Sequence, residues 1–319
     1  MKIVVIGATG HVGSYLVPRL VRAGHSVTAV SRGSSEPYHQ DAAWHQVTRV
    51  ALDREQGDAE RTFAPAIAAL EPDVVVDMVC FTRSSAEQLV DALRGSGALL
   101  LHCGTVWVHG PATVVPITED APRTPFGEYG TGKAEIEELL LAEARRPDGV
   151  RSVILHPGHI TGPGWPMINP QGNLDLAVWA ALAAGTEVVL PNFGLETLHH
   201  VHADDVAQGF EKALERQALA VGQSFHLVSE RALTLRGFAE GIASWYGASP
   251  RLRFVPFEEF RGLTSPEFAE STLAHISRSH SLSIERARTV LGYAPRYSSL
   301  EAVEDGLTWL AAAGRVPAP

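Results

Sequence analysis

Tyr129-Gly-Thr-Gly-Lys133 is the pairing in this chain with the clearest chemical use. Side chains four apart on a helix project from one face, one turn above the other. An ammonium beside a phenol favours phenolate and lowers its pKa from an ordinary value near ~10. A phenol so tuned can carry a proton to or from an alcohol or carbonyl oxygen. The only lysines are Lys2, Lys133 and Lys212. Against six tyrosines they give roughly 0.06 such pairs by chance. The competing explanation is coincidental spacing on a solvated face, so the pair needs a cofactor site upstream and a partner hydroxyl.

The cofactor site is expected at Gly7, Gly10 and Gly13, spaced G-x-x-G-x-x-G directly after the apolar run Lys2–Ile6. The first glycine allows a tight turn, the second lets backbone approach a diphosphate, and the third permits close helix packing. The helix that follows offers free N–H groups and a positive dipole end to phosphates. At the end of the second strand, an acid would hold the ribose hydroxyls of NAD. This chain has Ser31-Arg32 there. An arginine can meet a 2′-phosphate with charge-assisted hydrogen bonds, so NADP(H) is favoured over NAD(H). Asp53 is a candidate acceptor for the adenine amino group. A surface arginine and a solvated loop aspartate are the competing readings of those two residues.

The elements that position these residues alternate regularly. Strands are expected at residues 2–6, 26–30, about 45–50, 73–79, 98–103 and 150–155, with helices at 14–23, about 56–70, 84–94 and 128–146. Such alternation predicts an α/β fold, a Rossmann-type doubly wound parallel sheet. Beyond residue 160 the pattern loosens. Residues 161–173 read as a Gly/Pro-rich loop; helices are expected at 174–184, 204–217, 234–246, 284–291 and 300–312, and strands at 188–190, 199–202, 223–228 and 251–255. The expected organisation is a dinucleotide-binding unit over 1–160, to which 199–228 can return. A smaller α/β substrate lobe occupies most of 161–319, over the carboxyl edge of the sheet.

With 45% hydrophobic and 19% charged residues in 319, the chain has ample core. A net charge of −10 argues against nucleic acid or an anionic membrane as partner. Cys80 and Cys103 sit in apolar runs and are expected as buried core thiols. No stretch approaches the ~18 apolar residues of a membrane span, and a cytoplasmic protein is expected.

These motifs and several later ones resemble the extended short-chain dehydrogenase/reductase family, in its NAD-dependent epimerase/dehydratase group, over almost the whole chain. Thr105–Gly110 resembles S/T-x-x-V-Y-G with His109 in place of the tyrosine, and Tyr129–Lys133 matches Y-x-x-x-K. His156–Gly164 is similar to R-P-x-N-v-y-G-P, Val201–Ala207 to I-H-V-D-D-V-A, and Leu291–Pro295 to LGW-x-P. The resemblance implies that Tyr129 is the acid/base, that Lys133 holds the nicotinamide ribose and lowers the tyrosine pKa, and that Thr105 bonds the reacting oxygen. It further implies cofactor contacts at Thr9, His11, Val12, Met78, Val79, Pro157 and His159, and a homodimer through the Tyr129 helix.

The departures narrow the chemistry. Dehydratases of this group follow the threonine with an Asp-Glu pair; here Val106 and Trp107 cannot exchange protons, so elimination of water is not expected. Leu198-His199-His200 stands where many nucleotide-sugar epimerases carry R-D-F, and His156 replaces the usual arginine. His199, His200 and His202 lack a third aligned ligand, and no metal is expected. Candidate substrate contacts are His109, His159, Trp165, Asn169 and His200, the Trp165–Asn173 loop being suited to a small polyol or sugar. The function expected is NADP(H)-dependent hydride transfer at a carbinol carbon, as a sugar or sugar-like epimerase. The alternatives are a reductase of a small ketone or aldehyde and, against the Tyr–Lys pair, a silent NADP-sensing regulator.

Overall fold

The computed structural model describes all 319 residues. Its centre is a seven-stranded parallel sheet of β1 (Lys2–Ile6), β2 (Ser26–Ser31), β3 (Thr48–Ala51), β4 (Val74–Asp77), β5 (Leu99–Cys103), β6 (Arg151–Pro157) and β11 (Ser224–Leu227). The spatial order is β11-β6-β5-β4-β1-β2-β3. The order reverses between β1 and β4, which is where open α/β sheets bind ligands at their carboxyl ends. Every residue of β4 and β5 is buried, because helices cover both faces.

One face packs against α1 (His11–Arg22) and α7 (Ala203–Glu215), through Leu16, Leu20, Phe210 and Leu214. The other packs against α3 (Phe63–Ala68), α4 (Arg83–Leu93) and α5 (Glu128–Glu143), through Phe63, Leu89, Ile136 and Leu140. A third core lies outside the sheet around Trp179, Phe238 and Leu310. It joins α6 (Ala177–Ala183), α9 (Leu235–Trp245) and α12 (Ser299–Ala312) to three two-stranded ribbons. These are β7 (His159–Thr161) with β10 (His200–His202), β8 (Glu187–Pro191) with β13 (Arg251–Val255), and β9 (Thr197–Leu198) with β12 (Leu233–Thr234).

Several expectations are corrected. The single helix at 56–70 is two, α2 (Arg54–Ala59) and α3, because Arg61 between them takes φ 57°. The segment expected as a helix at 284–291 widens into a π turn over Ala287–Leu291. The strand near 45–50 begins only at Thr48, after a tight turn at Ala42–Gln46. α1 begins at His11 rather than Ser14, placing Pro18 two turns inside it. The core beside α1 also draws on Leu282, Ile284, Leu291 and Tyr293, so the sheet unit reclaims more late sequence than 199–228. Unexpected elements are α8 (Gln217–Ala220), α10 (Phe257–Arg261) and α11 (Pro266–Ile276). No helix is long and apolar enough to cross a membrane.

Candidate active site

Gly7 turns out of β1 at φ 81°, a conformation that favours glycine. A Cβ on Gly13 would stand 2.5 Å from the Ala8 carbonyl, so only glycine lets α1 begin this close to the turn. No side chain caps α1 at Gly10, which leaves its first N–H groups available to an anion. A cleft of about 740 Å³ opens here, lined by Gly7, Thr9, Gly10, Ser31, Arg32, Asp53 and Val79. The shape and donors fit a dinucleotide. Arg32 is exposed at the end of β2, and Asp53 caps α2 by accepting the Gln56 N–H at 3.1 Å. His11, Val12 and Gly13 are not on the cleft wall; His11 and Val12 are buried beside it. Met78 packs near Gly7, 3.2 Å from where a Cβ would sit.

α5 begins wedged between two loops. A Cβ at Gly130 would lie 3.2 Å from the Trp107 carbonyl and one at Gly132 would lie 2.8 Å from the Phe81 carbonyl. The glycines of Tyr129–Lys133 therefore set Tyr129 between Phe81 and Trp107, its ring 6.3 and 5.8 Å from theirs. Lys133 is fully buried one turn deeper. Its ammonium donates to the Cys103 carbonyl at the end of β5, at 2.6 Å, and lies 4.9 Å from the Phe81 ring. Burial lowers its pKa, against the pull of Cys103, Cys80 and Asp77.

The expected lowering of the tyrosine pKa by the ammonium is not found. Tyr129 is nearly half exposed at its rim, yet walled in closely enough that burial pushes its phenol up to about 12; the Cys103 thiol adds to the rise and the Thr105 hydroxyl opposes it. The spacing placed both residues on one face, but Lys133 runs under the tyrosine to the strand end.

Thr105 follows β5, and its hydroxyl accepts the Trp107 N–H at 3.3 Å. Its own N–H donates to His156 Nδ1 at 3.0 Å, while Nε2 of that ring lies 3.1 Å from Glu137 on α5. Burial opposes ionisation of Glu137, but His156 and the two-pronged Arg123 outweigh it and hold the carboxyl well below its usual range. Tyr129, Lys133 and Glu137 thus form one i, i+4, i+8 row. Pro157 ends β6 beside this site.

The residues expected to meet substrate separate. His159 lies 5.0 Å from His275 and 5.8 Å from His200, and His275 lies 5.3 Å from Trp107 (ring centres), forming one wall. His200 is buried with both ring nitrogens unpartnered. His109 is instead turned into the core, its Nε2 2.8 Å from that of His226. Asn169 is fully buried and bonds Asn173 and the Asp175 carbonyl, so it shapes its own loop. Trp165 stands over the dinucleotide cleft. His199 is spent on Ser229 and Leu282, and His202 on Asp305 and Asp204.

Sequence reasoning missed Phe81, His275 and Arg278, whose guanidinium is sandwiched 3.6 Å from the Trp107 ring centre and 3.8 Å from that of Phe126. His275 rides on α11, whose start was signalled by Ser265-Pro266-Glu267, a cap followed by proline at the first helical position.

The family model of the NAD-dependent epimerase/dehydratase family matches residues 3–227. The 2′-dehydrokanamycin reductase of Streptomyces kanamyceticus is 30% identical over 76% of this chain and 66% of its own. A UDP-glucose 4-epimerase of Mycolicibacterium smegmatis is 27% identical over 95% of this chain and 96% of its own. The fold matches UDP-glucuronic acid 4-epimerase from Bacillus cereus, solved with UDP-glucuronic acid and NAD, with TM-score 0.74 at 18% identity, covering 98% of this chain and 100% of that one. The family model spans most of the sequence, and the chain belongs to the NAD-dependent epimerase/dehydratase family.

Proposed function

We propose that the protein is an NADP(H)-dependent oxidoreductase that moves hydride to and from one carbinol carbon of a sugar or sugar-like molecule, and that it works as an epimerase. The observation that carries this reading is Tyr129 set against Thr105 above the end of β5, with Lys133 locked beneath it on the Cys103 carbonyl. The glycine turn, Ser31, Arg32, Asp53, Val79, Lys133 and Pro157 would hold the dinucleotide. The nicotinamide supplies a two-electron hydride acceptor and donor.

The protein's own part is proton transfer and alignment. Hydride leaves carbon only as the attached oxygen loses its proton; the positive charge of an oxidised nicotinamide would favour the Tyr129 phenolate that takes this proton, and Thr105 orients the oxygen. Return of hydride to the opposite face of the carbonyl carbon, with the proton going back from Tyr129 to the oxygen, inverts the carbon. Val106 and Trp107 offer no acid or base, which confines the site to redox without loss of water. Tyr129→Phe should abolish turnover while dinucleotide affinity stays within about twofold; unchanged turnover removes this mechanism.

A second reading, reduction of a ketone with cofactor release at each turnover, is favoured by the uncompensated Arg32 and by the relative named a reductase. Native mass spectrometry of the purified protein separates the two: a retained dinucleotide supports epimerisation, and an empty protein supports the exchanging reductase. Assembly as a homodimer through the outer face of α5 belongs to the same reading and is checked by light scattering.

A further inference from the structure

We infer that Trp165 and Tyr38 form a clasp across the mouth of the dinucleotide cleft, anchored on the glycine turn by His11, and that this clasp governs how fast the cofactor leaves. The inference rests on the cleft binding a dinucleotide, and it deepens the epimerase reading, in which the cofactor must stay through both hydride steps.

The two aromatics come from opposite sides. Tyr38 lies in the loop after β2 and Trp165 in the Gly/Pro-rich loop after β7, yet both line the cleft that Gly7, Gly10 and Arg32 line. Their ring centres are 6.1 Å apart at 83°, an edge-to-face contact. The loops are fitted to one another at Gly164, where φ is 105° and a Cβ would stand 2.7 Å from that of Tyr38. Each residue is nonetheless 47% exposed. Both side chains line the cleft and keep accessible surface there, which a dinucleotide seated on the glycine turn would cover.

His11 supplies the foot of the clasp. It is the first residue of α1, where the family resemblance implied a cofactor contact. Its Nε2 instead meets the Pro163 carbonyl at 3.0 Å, and its ring lies parallel to Trp165, at 14° with centres 6.0 Å apart. Burial lowers its pKa to about 4. At neutral pH the ring is thus an uncharged N–H donor to the loop, and the helix N–H groups remain as the phosphate donors. A bound diphosphate would lie between α1 and an aromatic bridge whose base is fixed to that same helix. Excluding water there strengthens the phosphate contacts, and release requires the bridge to open. Phosphate recognition is common to both dinucleotides, so the clasp acts on either, independently of Arg32.

The test is stopped-flow displacement of fluorescent NADPH by excess NADP⁺, a readout that needs no substrate. Trp165→Ala and Tyr38→Ala should each speed dissociation by about tenfold or more, equivalent to about 1.4 kcal/mol, with association changed less than about threefold. Trp165→Phe should lie between wild type and Trp165→Ala. A dissociation rate within twofold of wild type in Trp165→Ala overturns the clasp. Should that variant misfold by circular dichroism, an unchanged rate in Trp165→Phe and Tyr38→Ala overturns it equally. If the wild type binds neither dinucleotide, the underlying functional reading falls; if it binds both and ignores Trp165, only the clasp does.

Discussion

The Thr105 N–H donates to Nδ1 of His156 at 3.0 Å, and that bond decides where the ring proton sits. Because Nδ1 accepts, the proton belongs on Nε2, 3.1 Å from the Glu137 carboxylate. Glu137 stands two helical turns after Tyr129. One helix therefore carries the phenol, the buried ammonium and the carboxylate that orients the backbone under the neighbouring hydroxyl. The histidine that departs from the family's arginine is the link between them.

An asparagine at 156 can keep an acceptor where Nδ1 was, whereas a glutamine reaches the Nε2 position and leaves the Thr105 N–H unbonded. Both variants should lose roughly 1–3 kcal/mol of stability. His156→Asn should retain turnover within a few-fold, and His156→Gln should lose at least about tenfold in kcat with little change in dinucleotide affinity. Equal kcat values in the two variants would show that the bond to Thr105 does not matter to the reaction.

Burial pushes the Tyr129 phenol up to about 12, so without cofactor it stays protonated throughout the physiological range. The wild-type minus Tyr129→Phe difference absorbance near 295 nm should show no phenolate below about pH 10. A transition near pH 7–8 in the free protein would mean that Lys133 acts on the phenol in solution as the spacing alone predicted.

Arg32 borders the cleft beside Ser31 at the end of β2 and forms no ion pair within the chain. Its replacement by alanine should weaken NADPH by about 10- to 100-fold, the size of a charge-assisted hydrogen bond to phosphate, and NADH by less than about threefold. Equal losses for the two dinucleotides in equilibrium titrations would refute the preference for NADP(H).

Five buried histidines make the protein acid-sensitive. Burial first, with local charges adding, lowers His11, His199 and His280 to about 4 and His109 and His200 to about 3. Their ordinary value is near ~6.5. Between the two values the unfolded chain binds more protons than the native one. The stability is therefore complete above about pH 6.5 and is lost as pH falls, at up to about 1.4 kcal/mol per unit for each ring. The melting temperature should fall by roughly 10 °C from pH 7.5 to 5.0; a fall of less than about 2 °C would contradict this account.

Much of this was legible in the residues themselves. The glycine turn, the buried runs of β4 and β5 and the Tyr129–Lys133 row follow from local rules, because each depends on backbone conformation, period or helical spacing within a short stretch. Helix breaks were less legible, since α2 and α3 part at Arg61, a residue whose type gives no warning of positive φ.

Which face of each site residue meets what was decided only in three dimensions. Trp165 and Asn169 belong to one loop, yet one stands over the cofactor cleft and the other is sealed inside the loop by its own amide bonds. Lys133 bonds a strand carbonyl rather than sitting as a charge beside the phenol, because α5 lies close enough to β5 for its side chain to reach the strand end. The sequence by itself determined the fold, the glycine turn after β1 and the placing of Tyr129 and Lys133 on one helical row. Burial, and with it the tyrosine's proton affinity, came from the packing of Phe81 and Trp107, carried on two other loops, against Tyr129.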